Sequence, residues 1–306
     1  MILYRGGLIK KEREIIYMLI LFTDTDTDFT PDEAKKFGYH LISMPYSIDG
    51  KEIYPYEDFT SFDYKTFYTM LRNGTIPKTS ALSPEKYYEY FEPFFRNGDD
   101  ILYVHFSKEM SGTFNALNIA IEDLKEKYPE RKFYTIDTKA ITIGSYIIVK
   151  EIGKLYLEGK NLDELLKWAK ENVDHYAMYF FAEDLKFFKR SGRISNFSAI
   201  MGSLIGIKPI IYLNNEGKLV SIGKERGRKA AIECLVNYVT TLGVDLEKHL
   251  IVIGHTDAGD IPQLLGDALQ NKFNNKLNIE YIMVNPTAGS HCGPSGVGVS
   301  FYAIHR

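Results

Sequence analysis

The chain has 306 residues, 45% of them hydrophobic and 14% aromatic, with 37 basic and 40 acidic side chains for a formal net charge of −3. That length allows two domains with real cores, and so even a charge balance leaves no electrostatic footprint for nucleic acid. The two cysteines, Cys234 and Cys292, form no C-x-x-C pair, which excludes a zinc or disulfide scaffold and fits a reducing cytoplasm; nor is any apolar run long enough for stable membrane insertion.

Residues 1–17 read as an extension. They are basic at Arg5, Lys10, Lys11 and Arg13, broken by Gly6-Gly7, and lack the apolar segment and cleavage site of a signal peptide. The folded chain is expected to begin at Met18, ahead of an apolar strand, Leu19 to Thr23. That strand empties into Asp24-Thr25-Asp26-Thr27-Asp28, as strands of an open α/β sheet do at the end where ligands collect. A helix over 31–37 follows, then a hairpin over 46–54 with a type I′ turn at Asp49-Gly50, then a helix from Phe62 to Arg72. Ser83 as N-cap and Pro84 at the first helical position mark the next helix start. Thr79 and Ser80 just before it are not needed for capping, so their hydroxyls either face a site or are ordinary loop groups. The aromatic run Tyr87 to Phe91 reads as an amphipathic helix packing its rings.

Ile101 to Val104 reads as a buried parallel strand, and Asn115 to Tyr128 as a helix with apolar residues at helical spacing. Between them lies the turn His105-Phe106-Ser107-Lys108-Glu109-Met110-Ser111-Gly112-Thr113. A strand, a polar turn and a helix start make an anion site, because the first amides have no intrahelical partner and the dipole is positive there. Ser111 adds a hydroxyl and Gly112 lets a ligand approach the backbone, although taken alone the turn favours Ser111 as an N-cap and nothing more. Strand Phe133 to Asp137 and helices Tyr146 to Leu157 and Leu162 to Glu171, the last capped by Asn161, complete a doubly wound, mostly parallel α/β domain over 18–174.

From Tyr176 the pattern changes. A strand to Ala182, a helix from Asp184 to Arg190, an apolar helix through Leu204 and a hairpin over 208–224 come first. A helix (Lys229 to Leu242), a strand (Leu250 to Gly254), a helix (Ile261 to Phe273) and strands Ile279 to Val284 and Gly296 to Ala303 follow. Hairpins mixed with helices predict an α/β domain with a mixed sheet over 175–306.

Asp24-Thr25-Asp26-Thr27 also matches the D-x-D-x-T loop of haloacid dehalogenase-like phosphatases, in which the first aspartate attacks phosphorus and the second protonates the leaving group. That chemistry needs an acidic pair after a later strand to hold magnesium, whereas Asp99-Asp100 precede theirs, so turn and cap chemistry is the expected role. The seven histidines show no metal-ligand spacing, and His255 is expected to be a satisfied strand-end histidine. No G-x-S-x-G, Walker A or G-x-G-x-x-G opens a helix.

Taken in order, Thr23-Asp24-Thr25, Pro77-Lys78-Thr79-Ser80, Ser107 to Thr113, Arg190-Ser191-Gly192-Arg193-Ile194-Ser195, Ile207-Lys208-Pro209-Ile210, Lys224 to Ala230 and Gly289-Ser290-His291-Cys292-Gly293-Pro294 resemble the DegV family of bacterial fatty-acid-binding proteins. The resemblance runs from Met18 to the C-terminus. It implies a two-domain α/β protein with no catalytic machinery, metal or cofactor, holding one long-chain fatty acid such as palmitate, stearate or oleate in a tunnel, its carboxylate near the interdomain cleft. By position, Thr79 and Ser111 would hydrogen-bond the carboxylate, with Ser80, Gly112 and His291 close by. Arg193 would lie on the surface offered to a partner, a fatty acid kinase that makes the acyl phosphate for phospholipid synthesis. The chain departs from the family pattern at Thr25, usually serine, at Ala81-Leu82, usually glutamine and proline, at Arg190-Ser191, usually Lys-Gly, and at Ser295, which interrupts a usual Gly-Pro-Gly.

Overall fold

The structure is a computed structural model and describes residues 8–9, 17–183, 185–195 and 206–306. Among these residues the strands form three sheets. The first runs Tyr39–Ile42, Tyr17–Asp24, Asp100–His105, Phe133–Asp137, every neighbour parallel. Leu8–Ile9 adds a short antiparallel edge against Tyr17 and Met18, so the extension contributes to this sheet. Asp100–His105 is buried along its whole length because helices cover both faces. Phe22 and Tyr103 are register partners, and the rings of both meet Phe91 on helix Pro84–Asn97. That helix starts as the sequence predicts, with Ser83 Oγ accepting from the Lys86 amide and Pro84 in the first turn, and it buries Tyr87 and Phe91 completely.

Helix Ile143–Leu157 is buried on nearly every side, since it lies between the first sheet and the second. It begins three residues before the predicted Tyr146, because Thr142 takes the N-cap position with φ 51° and ψ −132°. An apolar helix with no polar face gives no periodic signal for where it starts. Helix Leu162–Asn172 carries a full capping box between Asn161 and Glu164.

The second sheet is mixed, in the order Ile194–Ser195, Leu219–Arg226, Ile207–Leu213, Tyr176–Phe181, Val297–Tyr302, Leu250–His255, Asn278–Met283. It is antiparallel in the middle and parallel at both ends. Strand Tyr176–Phe181 divides two cores by simple alternation. Met178 and Phe180 join the core shared with Ile143–Leu157, whereas Ala177, Tyr179 and Phe181 join a second core under helices Gly227–Leu242 and Ile261–Lys272. The helix expected through Leu204 lies outside the described residues.

The third sheet is the predicted hairpin, Tyr46–Ile48 with Lys51–Ile53, whose Asp49 (φ 51°) and Gly50 (φ 79°) both have the positive φ of a type I′ turn. Lys78–Thr79 pairs with its other edge. Thr79 is therefore a strand residue, and two residues are too few for a sequence period to reveal.

Candidate functional site

Helix Pro286–Cys292 is the element that builds the site and that sequence reasoning missed. Its signal was present. Asn285 accepts from the Ala288 amide at 2.9 Å and Pro286 opens the first turn, the same pair of cues as Ser83-Pro84. The helix carries His291 to Thr79, and Thr79 Oγ1 and His291 Nε2 share a hydrogen bond of 2.9 Å. Burial pushes the His291 imidazole down to about 4, and the positive charge of Arg193 adds to the effect, so the ring is neutral at pH 7.

These residues stand on the wall of a cavity that opens to solvent. The first sheet's strand ends contribute Asp26, Phe106 and Ser111, and the second sheet contributes Met178, Phe180, Leu219 and Val297. Ile143 and Thr142 come from the start of the buried helix, and Thr79 and Ser80 from the small sheet. Most of the wall is apolar. Ser111, Met110 and Arg193 also line an adjoining surface concavity with Gly112, Lys218 and Glu109.

The polar groups at that end differ in how they are held. Ser111 has an extended backbone (φ −152°, ψ 142°), and its Oγ accepts from the Thr113 amide at 3.2 Å. The N-cap of helix Thr113–Lys127 is Gly112, not Ser111. Gly112 is exposed, has an ordinary φ of −71°, and has nothing within 4 Å of where a Cβ would sit, so the backbone itself does not require glycine there. Ser80 is exposed and donates to Glu52 Oε1. Arg193 is exposed and donates through Nη1 to the Ser191 carbonyl at 2.6 Å and through Nε to the Met110 carbonyl at 3.4 Å. The chain thus gathers a cation, two hydroxyls and a neutral imidazole at one end of an apolar space. That arrangement suits an ionised group with a long apolar tail.

The aspartates after the first strand do what turn chemistry predicts. Asp24 caps the 3-10 turn Thr25–Thr27, accepting from the Asp26 amide at 3.0 Å, from the Tyr103 hydroxyl at 2.9 Å and from the Phe106 amide at 3.3 Å. It has no exposed surface at all, so no phosphate could reach it as the phosphatase alternative requires. His255 departs from expectation, since its Nδ1 is buried without a partner. The chain turns immediately after it, and the polar atoms of Thr256 are taken by Ser295 and Gly296.

Two predictions arise from these loops. Burial pushes both Asp24 and Asp28 up to about 7, although Asp28 accepts from the amide and the side chain of Asn285. The folded protein therefore keeps these protons where the unfolded chain has released them. Their stabilising contribution is complete below the unfolded value of 3.8 and is lost as the pH rises through about 7. Asp28→Asn keeps the acceptor at a positive φ that asparagine tolerates, so it should match the parent near pH 4 and melt several degrees higher above about pH 8. An equal offset at both pH values would refute the assignment. Ser295, at φ 68°, stands in the left-handed region that favours glycine. Ser295→Gly should stabilise the fold by about 1 kcal/mol, read as a raised denaturant midpoint, and a lowered midpoint would show that the side chain contributes more than the strain costs.

A family model described as "Uncharacterised protein, DegV family" matches residues 18–303. A DegV domain-containing protein of Clostridium perfringens is 33% identical over 283 residues, covering 92% of this chain and 96% of the relative. Among solved structures, a fatty acid binding DegV family protein of Streptococcus agalactiae superposes with a TM-score of 0.79 at 25% identity, over 94% of this chain and 99% of that one. The fatty acid kinase B3 protein of Streptococcus pneumoniae, loaded with linoleic acid, gives 0.78 at 17% identity, over 93% and 99%. With a family model spanning nearly the whole chain and a full-length relative at one-third identity, the chain belongs to the DegV family.

Proposed function

We propose that this protein binds one long-chain fatty acid in the cavity, with the carboxylate held by Thr79 and Ser111 and with Ser80, Gly112 and His291 beside it. The observation that carries the reading is the meeting of Thr79, His291, Ser111 and Arg193 at one end of a mainly apolar space. Burying an acyl chain of about sixteen carbons supplies on the order of 10 kcal/mol, at ~0.8 kcal/mol per methylene before ordering costs. The tail therefore provides most of the affinity, and the polar end fixes which way round the acid lies. In this reading the protein is a cytoplasmic carrier without a catalytic step of its own, and the acid lies between two α/β units, 18–174 and 175–306, preceded by the extension 1–17. It presents the acid to a fatty acid kinase, with Arg193 on the docking face. The bound linoleic acid and the name of the Streptococcus pneumoniae neighbour support this, as does the solved Streptococcus agalactiae protein. No described helix is long and apolar enough to cross a membrane.

The test is mass spectrometry of the purified protein, native and after organic extraction. One equivalent of long-chain fatty acid is expected. The Thr79→Ala/Ser111→Ala double variant should bind about 10- to 100-fold more weakly, since each hydroxyl pairs with a charged group. A protein that arrives empty and takes up neither palmitate nor oleate would overturn the reading.

A further inference from the structure

Four buried side-chain atoms among the described residues lack a hydrogen-bond partner, and two of them, Asp26 Oδ1 and His255 Nδ1, belong to residues on the cavity wall. Native proteins pair nearly all such atoms, so these exceptions need an explanation. Asp26 is 7% exposed and sits on the turn after the first core strand, which packs against helix Pro286–Cys292. Its carbonyl accepts from the Thr142 amide at 2.8 Å. Thr142 is β-branched at φ 51° and ψ −132°, a costly conformation, and the sulfur of Met178 at 3.9 Å is the contact its hydroxyl makes. Two cavity-wall residues, one with a carboxyl oxygen unpaired and one whose hydroxyl has only a long contact to sulfur, are thus tied together through the backbone at a strained position. Burial, with Asp24 and Asp28 adding to it, raises Asp26 well above the usual carboxylate range, which favours the neutral carboxyl, a group that can both donate and accept.

A plain hydrocarbon chain laid across these residues offers their polar atoms no partner, so the cost of their burial stands. A hydroxyl on the chain has the same dual character as the neutral carboxyl and would pair with it. We propose that the cavity contains a second polar subsite, formed by Asp26 and Thr142 with His255 on the wall of the same cavity, that receives a hydroxyl carried on the hydrocarbon chain, so that hydroxylated long-chain fatty acids are preferred ligands. This rests on the fatty-acid reading above and narrows its substrate class.

The experiment is displacement of a fluorescent fatty acid from the full chain by stearate and by a series of hydroxystearates with the hydroxyl moved along the middle of the chain. At least one position should bind about tenfold more tightly than stearate. In Asp26→Leu that ratio should fall to one or below, whereas Asp26→Asn, which keeps a donor and an acceptor, should retain part of it. If every hydroxystearate binds the parent more weakly than stearate, the polar wall serves only ordered water and the inference is overturned, whether or not either variant folds. Retention of the full preference in a folded Asp26→Leu would overturn it as well. Failure to bind stearate itself would count against the fatty-acid reading instead.

Discussion

Ala182→Phe should abolish fatty acid uptake while leaving the fold standing. Ala182 follows strand Tyr176–Phe181, is 1% exposed, and lines the cavity, so a larger side chain there must occupy ligand space. A benzyl group displaces the equivalent of about five methylenes, or ~4 kcal/mol of lost burial, which is roughly a thousandfold in affinity. Overpacking costs about 1–3 kcal/mol when a core has no room, but here the room exists. The ligand-free variant should therefore melt within a few degrees of the parent. Titration with a fluorescent fatty acid and a melting curve on the same sample decide the matter. Undiminished uptake would mean that the acid lies elsewhere.

The largest expected loss of stability is at Arg306, far from the cavity. Its side chain has no exposed surface and donates to the carbonyls of Val173, Thr138 and Lys139. Those carbonyls belong to two segments, the loop leaving strand Phe133–Asp137 and the turn Val173–His175, which the guanidinium ties together. Burial lowers its pKa to about 10, still well above neutrality, and Asp174 at 3.8 Å offsets part of that effect. Arg306→Ala would take the guanidinium donors from the carbonyls of Thr138 and Lys139, while the Val173 carbonyl would keep only the Tyr176 amide. A cost of about 3–5 kcal/mol follows, or roughly a 5–15 °C drop in Tm for a chain of this size. Arg306→Lys should recover only part, because an ammonium cannot reproduce the planar fork. A change of less than about 1 kcal/mol by denaturant unfolding would show that water replaces the guanidinium freely.

What was legible in the sequence was local or cumulative. Ser83-Pro84, Asp49-Gly50 and Asn161 each specify a cap or turn through atoms within a few residues of one another, and all three formed as read. The division into a parallel sheet and a mixed sheet followed from the change of pattern near Tyr176, and the family from many short segments in order. Asn285-Pro286 carried an equally local signal that went unread, so the helix bearing His291 was missed.

The rest was decided by contacts between distant parts of the chain. Thr79 and His291 are 212 positions apart and meet only because helix Pro286–Cys292 packs against strands Tyr46–Ile48 and Lys78–Thr79 of the small sheet. Helix Ile143–Leu157 lost any periodic signature because both of its faces are buried, one on each sheet. The same enclosure leaves Asp26 and His255 on the cavity wall with atoms unpaired, although by sequence each reads as an ordinary strand-end residue. Caps and turns depend on neighbours along the backbone, which the sequence lists directly. A cavity is the space that distant elements fail to fill, and only the packed tertiary structure determines where that is.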